Sequence, residues 1–362
     1  MSAFVLFAVL AALAALFSFA LERFALSRLT CTRAFSRPAF FEGEEGELIE
    51  VVRNDKPLLI PWLRVESRIS PFLRLGRQEN LHLGGEDAYA LSLFSLMPFQ
   101  QIRRRHRVRF LRRGAYDLGN ATLTAGDLLG VCQVSREQHM RASVLVYPRL
   151  LAERELPAPL SLLMEETVSR RFLLTDPFLV RGIRPYQPGD PVRDIHWSAS
   201  ARTGQTQVRL HDYTARTRLM VLLNGELRAD QWSDILMDYE TGAVERAIRV
   251  AATLCVRALR AGMAVGFAAT MPQGKAREST VLPPEGGAAR EEELLCAFAR
   301  LSVKRTVSFA QLLDSLTGLR DADVIVLSCY DSAELQGAMG ALRARGNTVA
   351  LHVLAMAEEG AA

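Results

Sequence analysis

The sequence predicts an α+β multidomain chain: an N-terminal transmembrane helix, an immunoglobulin-like β-sandwich, and then an α/β doubly wound domain. Three observations predict it. Residues 1–21 carry no charge. Residues 38–150 break into short β-patterned runs separated by turn residues. From residue 218 onward, short apolar runs alternate with longer stretches of helical periodicity.

Residues 1–21 read as a membrane anchor, because about 20 apolar residues in a helix cross the bilayer core. No Lys or Arg precedes the run, and the bulky apolar block continues to its end. Both features favour an uncleaved anchor over a cleaved signal peptide; a buried Ala-rich core helix is the remaining alternative. Arg23, Arg28, Arg33 and Arg37 follow. By the positive-inside rule they place the bulk of the chain in the cytoplasm, as a single-pass protein of the cell membrane. Cys31, Cys132, Cys255, Cys296 and Cys329 are scattered with no CxxC spacing. That argues against a disulfide framework and a zinc site and fits a reducing compartment. With 49% hydrophobic and 23% charged residues in 362, packed cores are expected and wholesale disorder is not. The net charge of +4, from 44 basic against 40 acidic residues, says little about partners.

The predicted β-sandwich domain spans 30–150. Its strands are read at 46–54, 62–69, 79–85, 88–96 and 104–113, with further strand structure over 112–137 and a last strand in 143–150. Turns such as Asn54-Asp55-Lys56-Pro57 and Met97-Pro98 separate them. Residues 151–217 read as a connector, with a short helix over 160–172. The α/β domain, 218–357, has strands at 218–224, 263–270, 322–329 and 348–355. Its helices are read at 240–262, 290–301, 309–316 and 331–345, and an exposed loop at 271–290. Gly262 is placed to cap the helix before it.

The connector holds the most distinctive stretch, RGIRPYQPGDPVRDIHWSASARTG at 181–204. Pro188-Gly189-Asp190 favours a turn. Asp190 and Asp194 are placed to pair with Arg181, Arg193 or Arg202, and Trp197 is a large amphipathic anchor. Arg184, Tyr186, Pro188, Gly189, Asp190, Arg193, Ile195, Trp197, Ser200, Ala201 and Arg202 closely follow a pattern R-x-Y-x-P-G-D-x-x-R-x-I-x-W-x-x-S-A-R. By it the chain resembles the domain-of-unknown-function 58 (DUF58) family. His196 stands where that family usually has Asp. Arg113-Gly114 with Tyr116, and Asp127 with Gly130, extend the resemblance into the β domain.

The resemblance implies a membrane-anchored protein working beside a MoxR-type AAA+ ATPase, with a last domain similar to a von Willebrand factor A domain. A metal-binding domain of that kind ends its first strand in D-x-S-x-S, whose hard oxygens suit Mg²⁺. Here that place reads Asn224-Gly225-Glu226-Leu227-Arg228, and the later strand end reads Ser328-Cys329-Tyr330-Asp331. The metal site is therefore expected to be degenerate at Asn224 and Glu226, and no cofactor is expected.

Other constellations carry less. Arg103, Arg105, Arg107 and Arg109 share one strand face, which could meet anionic lipid or nucleic acid. The interleaved Val108 and Phe110 look like core, so a solvated sheet face is expected and no nucleic-acid partner. Ser200, His196 and Asp190 invite a hydrolase reading, as do His211 and Asp212. Yet the chain has neither a G-x-S-x-G elbow nor a phosphate loop. The expectation is a non-enzymatic protein-interaction factor that works with the ATPase and other proteins in assembly or maturation of a complex. A Mg²⁺-dependent adhesion-type binder and a hydrolase are the alternatives. The segment around Arg184, Asp190, Asp194, His196 and Trp197 either organises a domain junction or offers a docking surface.

Overall fold

The structure is a computed structural model. It describes residues 2–76, 81–84, 87–127, 132–173, 175–213, 218–228, 238–274, 276, 278–304 and 306–354. The chain divides into two compact units, Met1–Arg149 and Leu150–Ala362, each described by itself.

The first unit opens with α1 (Ser2–Phe24). Phe4–Phe24 is long and apolar enough to cross a membrane, and among the described residues no second helix is. Most of α1 leaves its large side chains exposed, but its end docks: Leu21, and Ala25 and Leu26 just beyond the helix, are buried against the strands that follow. Ser18 Oγ donates to Asp127 Oδ2 at 2.7 Å. The Lys56 ammonium donates to the carbonyls of Ala25 and Ser27 at 2.7 and 2.9 Å, satisfying acceptors that a helix end leaves free.

The strands are β1 (Leu29–Phe35), β2 (Ala39–Phe41), β3 (Glu45–Asn54), β4 (Ile60–Ile69), β5 (Leu73–Leu75), β6 (Leu81–Gly84), β7 (Asp87–Leu96), β8 (Gln101–Phe110), β9 (Gly114–Asp117), β10 (Asn120–Gly126), β11 (Gln133–His139) and β12 (Ser143–Tyr147). They form antiparallel sheets of order β1-β3-β8-β5 and β11-β10-β4-β7-β6, with a smaller sheet β2-β12-β9. Leu48, Glu50 and Val52 on β3 face inward, as do Leu63, Val65, Ser67 and Ile69 on β4, so the two large sheets close as a sandwich. The sequence reading missed β1, β2 and β5. Two of these are three-residue strands, and LTCTRAF in β1 lies among the arginines read for topology. On β8 Arg103, Arg105, Arg107 and Arg109 point outward and Val108 and Phe110 inward, while Arg104, on the same strand face as Val108, lies with its guanidinium 4.1 Å from the Phe94 ring centroid.

A polar layer interrupts the sandwich core. Arg33 from β1 donates to Glu50 Oε1 through Nε and Nη2, at 2.8 and 2.6 Å, and to Ser67 Oγ. His106 Nε2 lies 3.3 Å from the other Glu50 oxygen. Arg33 and Glu50 are almost fully buried. On one side of the layer lie Cys31, Val52, Val65 and Phe94, on the other Leu48, Ile69, Val108 and Phe110. A cavity of about 820 Å³ beside the layer is lined by Arg33, Glu50, Ser92 and His106.

The second unit contains α2 (Ala158–Leu173), β13 (Thr175–Pro185), α3 (Trp197–Thr203), β14 (Gln207–Tyr213), β15 (Arg218–Leu223), α4 (Asp238–Arg260), β16 (Ala264–Ala269), β17 (Thr280–Glu285), α5 (Ala288–Arg300), α6 (Phe309–Ser315), β18 (Ala322–Ser328), α7 (Ala333–Ala344) and β19 (Thr348–Val353). The sheet order is β17-β16-β15-β18-β19, with only β17 antiparallel to its neighbour. Leu219, Val221 and Leu223 of β15 pack with Val244, Ile248, Ala251 and Cys255 of α4. Met220 and Leu222 pack on the other face with Phe309, Leu312, Leu335 and Met339 of α6 and α7. Helices thus cover both faces, which a parallel sheet requires.

Two sequence expectations change here. The loop expected over 271–290 contains β17, whose Pro283 and Pro284 are tolerable because it is an edge strand. The connector read over 151–217 holds strands beside its helix: β13 and β14 pair antiparallel around the distinctive stretch, with register shifts near Val180 and Gly182.

The polar layer makes a stability prediction. Arg33→Met leaves a buried carboxylate without its cation and should cost about 3–5 kcal/mol in urea unfolding. Adding Glu50→Leu should recover most of that loss, since replacing a buried pair by apolar groups is often neutral. Burial alone would raise the Glu50 pKa, but the His106 hydrogen bond and the Arg33 charge and hydrogen bonds outweigh it and hold it at about 2, against 4.5 ordinarily. The stabilisation is therefore complete above about pH 4.5 and lost as pH falls toward 2. Glu50→Gln should flatten that limb of an acid titration followed by near-ultraviolet circular dichroism.

Candidate functional site

Two places concentrate polar chemistry in the second unit. The first is the segment between β13 and β14. Arg184 holds Asp190 through two parallel hydrogen bonds, Nη1 to Oδ2 at 2.7 Å and Nη2 to Oδ1 at 2.6 Å, the bidentate geometry that makes such pairs strong. Asp190 also accepts from the Gln187 backbone N–H at 2.8 Å. The Arg184 hydrogen bonds, then that N–H, hold its carboxyl below the usual carboxylate range. The turn is closed by Asp190 N–H donating to the Gln187 carbonyl at 3.0 Å, and Gly189 after Pro188 takes φ 106°, a region open to glycine. The expected partners of Asp190 are thus corrected. Arg184 is the partner, while Arg193 only approaches Asp194, at 3.9 Å. The Arg181 side chain lies outside the described residues.

His196 caps α3: its Nδ1 accepts from the Ala199 backbone N–H at 3.1 Å. Asp, which the resembling family carries at this place, is a preferred N-cap for the same reason. Ser200 Oγ donates to the His196 carbonyl at 3.0 Å and accepts from the Gln207 backbone N–H at 2.8 Å, tying α3 to β14. Gly204 ends the helix in the left-handed region. The Ser200–His196–Asp190 relay of the alternative hydrolase reading is not assembled. The Ser200 hydroxyl is bonded to backbone, the His196 ring caps a helix, and Asp190 is clamped by arginine. The side chains of His211 and Asp212 lie outside the described residues.

The segment buries Ile195 and Val208, which bridge to each other, and exposes its other large side chains. Trp197 is 69% exposed, Val192 67%, Ile183 46% and Tyr186 38%. Arg193 and Arg202 are exposed beside them. Trp197, read as a large amphipathic anchor, stands out into solvent within its unit, on a frame that hydrogen bonds hold.

The second place is the carboxyl end of the parallel sheet, between β15 and β18, where the strand order reverses and ligands bind in open α/β sheets. Asn224 Nδ2 donates to Ser328 Oγ at 3.2 Å, and its Oδ1 accepts from the Glu226 backbone N–H at 2.9 Å. Gly225 N–H donates to Thr270 Oγ1 at 2.9 Å. The Glu226 carboxylate accepts from the Tyr330 hydroxyl at 2.5 Å and the Phe309 N–H at 3.3 Å. Asn224, Glu226, Thr270 and Ser328 are all buried. A cavity of about 180 Å³ opens beside Glu226, Tyr330, Ser308, Ser332 and Glu334, but Ser308 and Ser332 use their hydroxyls as caps of α6 and α7.

This donor set does not fit Mg²⁺. The Glu226 carboxylate is already paired with protein donors, the Asn224 oxygen accepts a backbone N–H, and Arg228 brings a cation to the same loop. Among the described residues no cluster of three or more His, Cys, Asp and Glu is placed to hold a metal. The sequence reading found Asn224 and Glu226 and named the strand end Ser328-Cys329-Tyr330-Asp331, but missed Thr270 and the pairing of Tyr330 with Glu226. Thr270 and Tyr330 sit just past the ends of strands adjacent to β15, a signal that becomes usable once the strand order is known.

Fold and sites together define a two-unit α+β chain with an N-terminal apolar helix, a β-sandwich, and a parallel-sheet unit bearing a clamped, aromatic-tipped segment. Residues 182–360 match the family model described as a protein of unknown function, DUF58. The match takes in the segment just described and nearly all of the parallel-sheet unit. No curated relative matches the chain. Solved structures with partial similarity include the CARDB domain of the PF1109 protein from Pyrococcus furiosus (14% identity, 33% of this chain, 93% of that one, TM-score 0.23). A non-cellulosomal cohesin from Archaeoglobus fulgidus shares 8% identity, with 35% and 94% covered and a TM-score of 0.22. Salmonella alpha-2-macroglobulin shares 18%, with 35% of this chain but only 7% of that one covered and a TM-score of 0.25.

The strand-end network makes its own prediction. Tyr330→Phe should lower stability by about 1 kcal/mol and Glu226→Ala by about 1–3 kcal/mol, the latter leaving buried donors unpaired. The double variant should be less destabilised than the sum, since the two side chains share one interaction. Burial, then the Glu226 hydrogen bond, pushes the Tyr330 hydroxyl up to about 12. A spectrophotometric titration should therefore show Tyr330 ionising at lower pH in Glu226→Ala than in wild type, though burial keeps it above the ordinary value. Millimolar Mg²⁺ should not move the melting temperature.

Proposed function

We propose that this chain is a membrane-anchored, non-enzymatic protein-interaction factor whose segment from Arg184 to Arg202 docks a partner protein. The observation that carries the reading is the combination of rigidity and exposure there. Trp197, Val192 and Tyr186 stand in solvent while the Arg184–Asp190 clamp and the His196 cap fix the backbone beneath them. Exposed aromatics and arginines on a preorganised frame are the composition of an interface hot spot.

The family resemblance supplies the partner class, a MoxR-type AAA+ ATPase, and the role, assembly or maturation of another protein complex. In this reading α1 spans the membrane once and the arginines after it keep the bulk of the chain in the cytoplasm. The parallel-sheet unit is von Willebrand A-like. Its strand order, with a single antiparallel strand next to one edge of a parallel set, supports that reading. The closed network around Glu226 weighs against a Mg²⁺-dependent mode of binding, so recognition falls to the aromatic segment.

Co-purification of the full chain from detergent-solubilised membranes with the ATPase encoded beside it, with and without nucleotide, tests this reading. Wild type should retain the ATPase, and Trp197→Ala with Arg193→Glu should weaken binding about 30-fold, as loss of a hot spot worth about 2 kcal/mol implies. Absence of association in either nucleotide state overturns the partner assignment.

A further inference from the structure

The end of α1 meets the β-sandwich at a small surface that is apolar and tightly tied together. Lys56 reaches from the β3–β4 loop to the carbonyls of Ala25 and Ser27. The same loop receives the Phe99 N–H at the Lys56 carbonyl, 3.3 Å. Its Asp55 N–H donates to the Arg28 carbonyl at 3.0 Å, and the Asn54 side-chain amide donates to the Met97 carbonyl at 2.9 Å. The helix end and the turn Met97–Gln100 are therefore neighbours braced through one loop.

What this surface exposes is unusual for the outside of a sandwich. Phe99 is 70% exposed, Met97 60% and Phe24 53%. Phe99 and Arg28 are also two of the three non-glycine residues with positive φ among the described residues, at 54° and 49°. A bulky residue in that region is uncommon, and such strain gathers where a side chain must be presented in a particular direction. Here the strained residue at the tip of the turn is an aromatic one aimed into solvent.

The helix adds a second argument. The end of α1 is docked on the sandwich through Ser18 and Leu21, with Ala25 just beyond it. A bilayer crossed by this helix has a headgroup region at the helix end, beside the exposed Phe19, Phe24, Met97 and Phe99.

We propose that the turn Met97–Gln100 is a membrane-contacting foot, which in the full chain enters the headgroup and upper acyl region of the same phospholipid bilayer that α1 crosses. Continuity with α1 selects this occupant over a second copy or another protein. Apolar contact carries the interaction, because the exposed charge nearby is nearly balanced. Glu22 is exposed along with Arg23 and Arg28, and Arg53 is paired with Asp55 at 2.6 Å. The arginines sit where their long stems keep the charge at headgroup level. The proposal rests on the anchor role of α1, and its test separates the two.

The full chain is reconstituted in phosphatidylcholine vesicles containing a phospholipid with a photoactivatable diazirine high on its acyl chain. Adduct positions are mapped by mass spectrometry, with the exposed Val281 of the second unit as the background. Adducts on α1 and, severalfold above background, on Met97 and Phe99 are the expected result. Adducts on α1 with none above background on the turn overturn the foot. Absence of adducts on α1 overturns the anchor on which it rests. In the variant Phe99→Ser with Met97→Ser, α1 should remain labelled while labelling of residues 97–100 falls to background; unchanged labelling of Gln100 in that variant would assign the contact to backbone proximity alone and reject the foot.

Discussion

Burial of β15 on both faces is the constraint from which the second unit follows. Its five residues from Leu219 to Leu223 are all but inaccessible to solvent. They can be so only if strands flank both edges and helices cover both faces. β16 and β18 supply the edges, α4 one face, and α6 with α7 the other. The chain leaving β15 then emerges at a point enclosed by neighbouring strand ends. Every polar group placed there must find a partner inside the protein.

That requirement explains why Asn224 and Glu226 are knitted to Ser328, Thr270, Tyr330 and the start of α6. A buried polar group left unpaired is costly, and the strand ends solve this with side-chain donors. The β-sandwich meets the same problem in another place. Glu50 and Arg33 point into its core, and Ser67, Ser92 and His106 complete their hydrogen bonding, so the polar layer sits between two apolar clusters without leaving a bare charge. Buried ion pairs of this kind add little net stability, but half of one is strongly destabilising.

The distinctive segment works in the opposite sense. It spends its polar side chains on its own backbone and turns its large apolar ones outward. Arg184, Asp190, His196 and Ser200 fix the loop, α3 and β14 in one arrangement, so little conformational entropy remains to be lost when Trp197 and Val192 are covered by a partner. The pattern of residues that marks the segment in the sequence is thus part scaffold, in Arg184, Asp190 and Ser200, and part exposed surface, in Tyr186, Arg193, Trp197 and Arg202. Val192, between the pattern positions, adds to that surface.

The sequence by itself determined what local pattern and composition decide. The uncharged run before Glu22 marked α1, and the alternation in 46–54 and 62–69 marked β3 and β4. The periodicity of 240–262 marked α4, and Pro188-Gly189-Asp190 marked the turn. It also showed that the carboxylate expected at residue 224 is an asparagine. Only the tertiary structure decided the rest, because each remaining feature depends on residues far apart in the chain. The pairing of β13 with β14 and the edge strand β17 have weak local signals and form because a neighbouring strand offers hydrogen bonds. The partner of Asp190 is Arg184, since the β13 backbone aims that guanidinium across the turn. Glu226 meets Tyr330, 104 residues away, because parallel strands bring their carboxyl ends to one edge. Whether Trp197 packs or protrudes was equally beyond local pattern. It depends on which face of a seven-residue helix lies against β14, and Ser200, bonded to Gln207, fixes that face.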